Sequence, residues 1–226
     1  MCRAICLASE LQDPVGLERL KRRTASVYNR WSRVWDLARF TNGNIYEAVL
    51  ASFDAQHQRV LDAGCGTGIM SARLAATGRE TVGLDLSPAM VKRARRKMAR
   101  NLNFVIGDAE KLPMADCEFD AVVNLISLHH YPHPERALSE FHRVLRPDGR
   151  LVVVIFDRDS RYIRLAQGVN RWTKPIAGIT WQKTAAEALK LVEEAGFTRV
   201  QASLVPYWIK TWLIVAERDQ IRPCVP

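Results

Sequence analysis

Acidic residues are in short supply in this chain. Its 24 Asp and Glu face 33 Lys and Arg, which leaves a formal charge of +9. Such an excess invites a nucleic-acid or anionic-membrane partner. Long apolar runs are missing: no stretch is long enough to span a bilayer, and the run before Glu10 is too short for a secretory signal. Cysteine is scarce as well. The five thiols are odd in number and scattered, with no Cys-x-x-Cys pair, so neither a disulfide framework nor a zinc site is expected. Cys224 is third from the end and forms no prenylation box. Internal repeats and low-complexity segments are absent. What remains, 226 residues of 48% hydrophobic content, suits one globular domain with a full core, expected in the cytoplasm.

Against that background one stretch stands out. Val60-Leu61-Asp62 is a short apolar strand ending in an acid, followed by Ala63-Gly64-Cys65-Gly66-Thr67-Gly68 with glycine at every second position. Glycine tolerates positive φ and has no Cβ, so this loop can turn sharply and let its backbone approach a ligand. Two further apolar runs end in acids, Thr81–Leu84 at Asp85 and Phe104–Gly107 at Asp108. Three acidic strand ends in succession line one edge of a parallel sheet, where open α/β sheets bind ligands. A nicotinamide-dinucleotide fold also carries an acid about 20 residues past its glycines. Its fingerprint wants glycine or alanine three positions after the second glycine, and here that position is Ile69.

The order of motifs resembles the class I S-adenosylmethionine-dependent methyltransferases, most nearly those acting on quinones and phospholipids. The matching segments are Asp62–Gly68, Gly83–Met90, Gly107–Pro113, Phe119–Val123 and Arg143–Gly149, running from about Arg59 to Phe156 without a gap. The resemblance implies an α/β, Rossmann-like fold with a seven-stranded, mostly parallel sheet, a C-terminal antiparallel hairpin and an N-terminal helical cap. It places the tail and cap in residues 1–53 and the core in 54–226, with a lid insertion at 157–183.

The elements fit this plan. Val15 to Phe53 is helical in pattern, and within it Tyr28 and the Trp35-Asp36 pair resemble the cap residues that help close the family's cofactor cleft. Strands are expected at 59–62, ending at Asp85, at 104–107, 119–124 and 150–156. Ser87-Pro88 opens one helix, and the basic run Lys92–Arg100 lies on its outer face, where it can touch an anionic membrane. Pro134 starts another helix with inner stripe Ala137, Leu138, Phe141 and Val144, ended by a turn at Pro147-Asp148-Gly149. Thr184-Ala185-Ala186-Glu187 is a capping box and Gly196 a stop. Strands at 199–205 and 208–216, reversed at Pro206-Tyr207, close the sheet.

By resemblance, S-adenosylmethionine is the cofactor. Asp62 meets its amino group, the Ala63-Gly64-Cys65-Gly66 backbone approaches its carboxylate and ribose, and Asp85 accepts the ribose hydroxyls. Asp108 and the Ala109 N–H take the adenine, Leu86 and Met90 flank it, and the carbonyl near Asn124 or Leu125 receives the amino group. Tyr28 closes the cleft. Base candidates are His129 and His130, whose intrinsic pKa near 6.5 suits proton removal. The segment Asn124-Leu125-Ile126-Ser127 is not the Asn-Pro-Pro-aromatic motif of exocyclic-amine methylation. No Pro-Cys nucleophile lies near the cleft, and no paired acids suggest a catechol-type magnesium site. The expected acceptor is therefore a small or lipid-like molecule: a quinol, a phospholipid headgroup or a specialised metabolite. The alternatives are an RNA or protein methyltransferase and a non-enzymatic cofactor-binding partner subunit.

Overall fold

Apolar runs of β-branched residues pair into one sheet in the computed structural model, which describes residues 13–35, 43–97, 99–161, 163 and 183–220. The strands are β1 (Arg59–Ala63), β2 (Glu80–Asp85), β3 (Leu102–Ile106), β4 (Phe119–Leu125), β5 (Leu145–Phe156), β6 (Phe197–Val205) and β7 (Thr211–Arg218). Their order is β3-β2-β1-β4-β5-β7-β6. Strands β1 to β5 pair in parallel, while β7 lies antiparallel between β5 and β6. The connections reverse direction between β1 and β4, the switch point at which such sheets open a crevice.

Helices cover both faces because the central strands are apolar on both sides. Helices α2 (Gly43–Leu50) and α3 (Ile69–Ala76) pack on one face through Ile45, Val49, Met70 and Leu74 against Val60, Val123 and Val152. On the other, α5 (Pro134–Val144) and α6 (Ala185–Glu194) lay Leu138, Phe141, Ala188 and Val192 over Leu61, Val122 and Val153. Removing a ring as buried as that of Phe141 costs about 3–5 kcal/mol. The expected caps are present: Ser87 accepts from Met90 N–H at the start of α4 (Pro88–Ala94), and Thr184 and Glu187 form the capping box of α6. Gly196 ends α6 at φ 94°.

Several expectations are corrected. The single helical pattern over 15–53 is two helices, α1 (Pro14–Trp35) and α2. The helix α4 stops at Ala94, so most of Lys92–Arg100 lies beyond it. Some of those charges are structural: Arg95 donates to the Phe104 carbonyl and Lys97 to that of Thr67. The span of β5 starts at Leu145, five residues early. Pro147-Asp148-Gly149 is an irregularity inside it, where the register slips between Phe119 and Ala121 and Asp148 takes φ 60°. Strand β7 begins at Thr211, so residues 206–210 form the reversal. Cys117 is disulfide-bonded and Cys65 is free, so the described cysteines are not all free. Asp36, the side chain of Trp35, and residues 162 and 164–182 of the expected lid also fall outside what is described. Among the described residues no helix is long and apolar enough to cross a membrane.

Candidate active site

The parallel register brings the three acids together. Asp62 pairs with Gly83 beside Val123, and Asp85 pairs with Ile106, two residues before Asp108. All three lie at the same edge of the sheet. The loop after β1 takes φ 78° at Gly64, 55° at Gly66 and 76° at Gly68. Two of these glycines serve different ends. A Cβ on Gly64 would lie 2.3 Å from Ser127 Oγ and 2.8 Å from the Tyr131 hydroxyl, so its bareness admits the segment after β4. A Cβ on Gly66 would meet nothing within 4 Å, leaving open space for a ligand. The loop's N–H groups are turned inward. Gly64 and Cys65 donate to the Leu84 carbonyl at 2.7 and 2.9 Å, and Gly66 donates to Asp85 Oδ2 at 2.9 Å.

Each acid is held differently. Asp62 Oδ2 accepts from Ser71 Oγ at 2.5 Å, but its Oδ1 is buried without a hydrogen-bond partner. Burial pushes this carboxyl up to about 6; the Ser71 hydrogen bonds oppose the shift and the Asp85 charge adds to it. Asp85 accepts from Ser87 N–H at 2.8 Å as well as from Gly66. Burial raises its pKa and those two N–H groups pull it back. Each carboxylate oxygen retains a second lone pair. Asp108 accepts from Glu110 N–H at 2.9 Å and from Lys21 Nζ at 2.6 Å, and Lys21 lies 2.7 Å from Glu110 Oε2. Burial lowers the pKa of that ammonium, but hydrogen bonds and charge from Asp108 and Glu110 outweigh it and raise it.

Beyond β4 the chain turns through Ile126 at φ 52°, an outlier for a β-branched residue. The turn throws Ser127 and Tyr131 back over Gly64. Asn124 Nδ2 lies within 2.9 Å of the Ala63 carbonyl, Ser127 Oγ and the Tyr131 hydroxyl, while its Oδ1 is buried without a partner. Tyr28 from α1 hydrogen-bonds His130 Nε2, with ring centroids 5.1 Å apart. Burial, and the charge of Asp85 after it, push the phenol above its ordinary pKa, so it stays protonated and donates. His129 packs on His130 at 3.9 Å between centroids. Desolvation first and His130 second hold His129 well below its ordinary pKa, so it is neutral at pH 7. Met90 and Ala109 are buried, and Leu86 is half-buried.

Residues 61–153 match the family described as "Methyltransferase domain". Over this stretch the chain is similar to methyltransferase domains. The chain is 32% identical over 179 residues to a fatty-acid O-methyltransferase of Mycolicibacterium smegmatis, covering 75% of this chain and 63% of the relative. It is 43% identical over 103 residues to a demethylmenaquinone methyltransferase of Renibacterium salmoninarum, covering 46% of this chain and 43% of the relative. The chain thus spans less than two thirds of the length of these curated relatives. Among solved structures it superposes on a SAM-dependent methyltransferase of Thermotoga maritima with TM-score 0.71, at 23% identity, covering 86% of this chain and 99% of that one.

S-adenosylmethionine fits the residues of this site. The orphaned Asp62 Oδ1 seeks a cation or donor, because a buried carboxylate oxygen left unpaired is costly. The space at Gly66 adjoins the free lone pairs of Asp85. Of the expected site, the structure gathers Asp62, Gly64, Gly66, Asp85, Asp108, Asn124, Tyr28 and His130 at one edge. Sequence reasoning missed Lys21, Asn29, Ser71, Ser127 and Tyr131. Lys21 was legible in part: with Leu17, Leu20, Thr24 and Tyr28 it falls on the inward stripe of α1, an odd place for a solvated cation. Nothing local marked Ser71 or Tyr131.

Proposed function

We propose that the protein transfers a methyl group from S-adenosylmethionine to a small, lipid-like acceptor: a quinol, a phospholipid headgroup or a specialised metabolite. The observation that carries this reading is the buried, unpartnered Asp62 Oδ1 beside the open space at Gly66 and the accepting Asp85. Two relatives are named for demethylmenaquinone and for fatty acids, both largely apolar molecules with a polar reacting end. The work is assigned to the aqueous side of the cell, in the cytoplasm.

When bound, the cofactor supplies a methyl carbon on a sulfonium, which the acceptor's lone pair takes as the carbon–sulfur bond breaks. The chain's residues hold and shield. Asp62 would receive the ammonium, Asp85 the ribose hydroxyls, and Asp108 with the Ala109 N–H the adenine, with Leu86 and Met90 offering apolar contact to it. Ser127, Tyr131 and Asn124 wall the reacting end, and α1 covers it through Tyr28. Alignment and exclusion of water supply about 7–11 kcal/mol in well-oriented reactions. Where the acceptor must lose a proton, His129, held neutral by burial, or His130 would receive it. For His130 this requires Tyr28 to release Nε2.

Calorimetry with S-adenosylmethionine, S-adenosylhomocysteine and NAD tests the reading. The first two are expected to bind and NAD is not, and Asp85→Ala weakens binding at least tenfold, a loss of about 1.4 kcal/mol. Labelled methyl transfer into a lipid extract then tests the acceptor class. Binding of NAD in place of the sulfonium would sink the proposal.

A further inference from the structure

We propose that the ligand edge of the sheet docks on an anionic membrane surface, through the outward face of α1 at one end and the reversal between β6 and β7 at the other. The proposal rests on the lipid-like acceptor assigned above.

The helix α1 lies across the C-terminal ends of the parallel strands. Lys21 reaches Asp108 and Glu110 after β3, Asn29 accepts from Ser87 Oγ at 2.5 Å after β2, and Tyr28 meets His130 after β4. With its inner face thus engaged, the opposite stripe points away from the sheet along the strand direction. That stripe carries exposed Arg19, Arg22 and Arg23 next to Val15, which is 66% exposed. Its one acid is Glu18. Several other cations are held by acids, Arg59 by Glu118, Arg143 by Asp116, Arg150 by Asp54 and Arg199 by Glu217, at 2.7–2.9 Å. Arg19, Arg22 and Arg23 pair with no acid among the described residues. Cations left bare on one face, beside an outward aliphatic side chain, match a surface of anionic headgroups over acyl chain.

The second contact is independent of the first. Phe156 ends β5 opposite Thr211, which puts residues 206–210 at the same edge as the cofactor acids. Tyr207 stacks on Phe156 with planes 4° apart, and next to it Trp208 is 60% exposed. A tryptophan held outward by a fixed neighbour suits the membrane–water interface, where an apolar ring and a polar N–H are both accommodated. Between the two ends, the loops at 64–68, 86–87 and 125–131 carry no Lys or Arg, and 108–110 is acidic. A flat surface touches both ends regardless. A polynucleotide would need a continuous basic track.

The test is co-sedimentation of the full chain with phosphatidylcholine vesicles, with and without phosphatidylglycerol, over a salt series. Binding is expected only with phosphatidylglycerol and falls as salt rises. The triple variant Arg19→Gln, Arg22→Gln, Arg23→Gln is expected to bind at least about tenfold less tightly, given the attraction of each cation to an anionic leaflet. Trp208→Ala weakens binding at all salt concentrations, including those that screen the arginines. Both variants keep wild-type cofactor affinity and circular dichroism, which shows that they fold. Equal binding to both vesicle types, or variants that bind like wild type, overturns the proposal. So does salt-sensitive binding of single-stranded RNA without vesicle binding, which gives the patch to nucleic acid. Methylation of a short-chain acceptor in solution without vesicle binding defeats docking alone. Vesicle binding with no lipid-like acceptor methylated defeats the acceptor assignment and leaves docking standing.

Discussion

Asp85, on the cofactor side of the ligand edge, is fixed by N–H groups 2 and 19 residues away, from Ser87 and Gly66. On the acceptor side, Tyr28 meets His130 across 102 residues, and Asp157 holds Trp212 across 55. The cofactor side is built mainly from a strand, its loop and the neighbouring strand. The acceptor side is assembled from α1, the turn after β4 and the C-terminal hairpin. Asp157 follows β5 directly. Burial pushes that carboxyl up, but hydrogen bonds from Lys210 and Trp212 more than offset it and keep it ionised. The cofactor side is thus specified locally, whereas the acceptor side changes whenever a distant segment changes.

The sharpest way to break this division is at Gly64, where the two sides touch. Gly64→Ala puts a Cβ against Ser127 Oγ and forces a left-handed conformation that alone costs about 1–2 kcal/mol. Loss of cofactor affinity by at least about a hundredfold in calorimetry, with a lowered melting temperature, is the expected result. An unchanged affinity would separate the two sides after all.

Next in size are the histidines, which belong to the acceptor side only. If either is the base, His129→Ala or His130→Ala lowers kcat by about a hundredfold or more and flattens the pH profile, with cofactor affinity intact. Unchanged turnover in both leaves alignment as the whole mechanism.

A smaller effect, on the cofactor side only, is the titration of Asp62. Its folded pKa of about 6 lies above the ordinary 3.8, so ionisation destabilises the free protein, with no penalty below 3.8 and the full penalty above 6. A cationic ligand binds the ionised form. Cofactor affinity is therefore expected to rise with pH up to about 6 and level off above it. In Asp62→Asn the affinity is lower and flat with pH, while the free protein melts no lower than wild type at pH 7. A wild-type affinity that does not change between pH 5 and about 7 would remove the cation from Asp62.

The smallest expected effect on affinity comes from Lys21, the long-range contact on the otherwise local side. Lys21→Met is expected to speed amide exchange across α1 while changing cofactor affinity by less than about threefold. A larger loss would make the adenine end as dependent on distant sequence as the acceptor end.

What the sequence determined by itself was the sheet and the three acids. Short apolar runs rich in β-branched residues and bounded by turn residues read as strands, and acids at strand ends are visible in one dimension. Caps at Ser87 and Thr184 were equally legible, because a capping hydrogen bond spans three residues. Helix length was not: the basic run after Ala94 reads as continued helix, yet its side chains are drawn to the carbonyls of Thr67 and Phe104. The same limit hid the turn inside β5, which depends on a slipped register with β4. Tertiary structure alone decided which glycine faces a ligand and which faces Tyr131. It also decided that Lys21 is a buried counter-ion while Arg19, Arg22 and Arg23 stay bare. These cations share one cluster and one composition. Only the packing of α1 across the strand ends distinguishes them, because burial and partner, not residue type, set what a charge does.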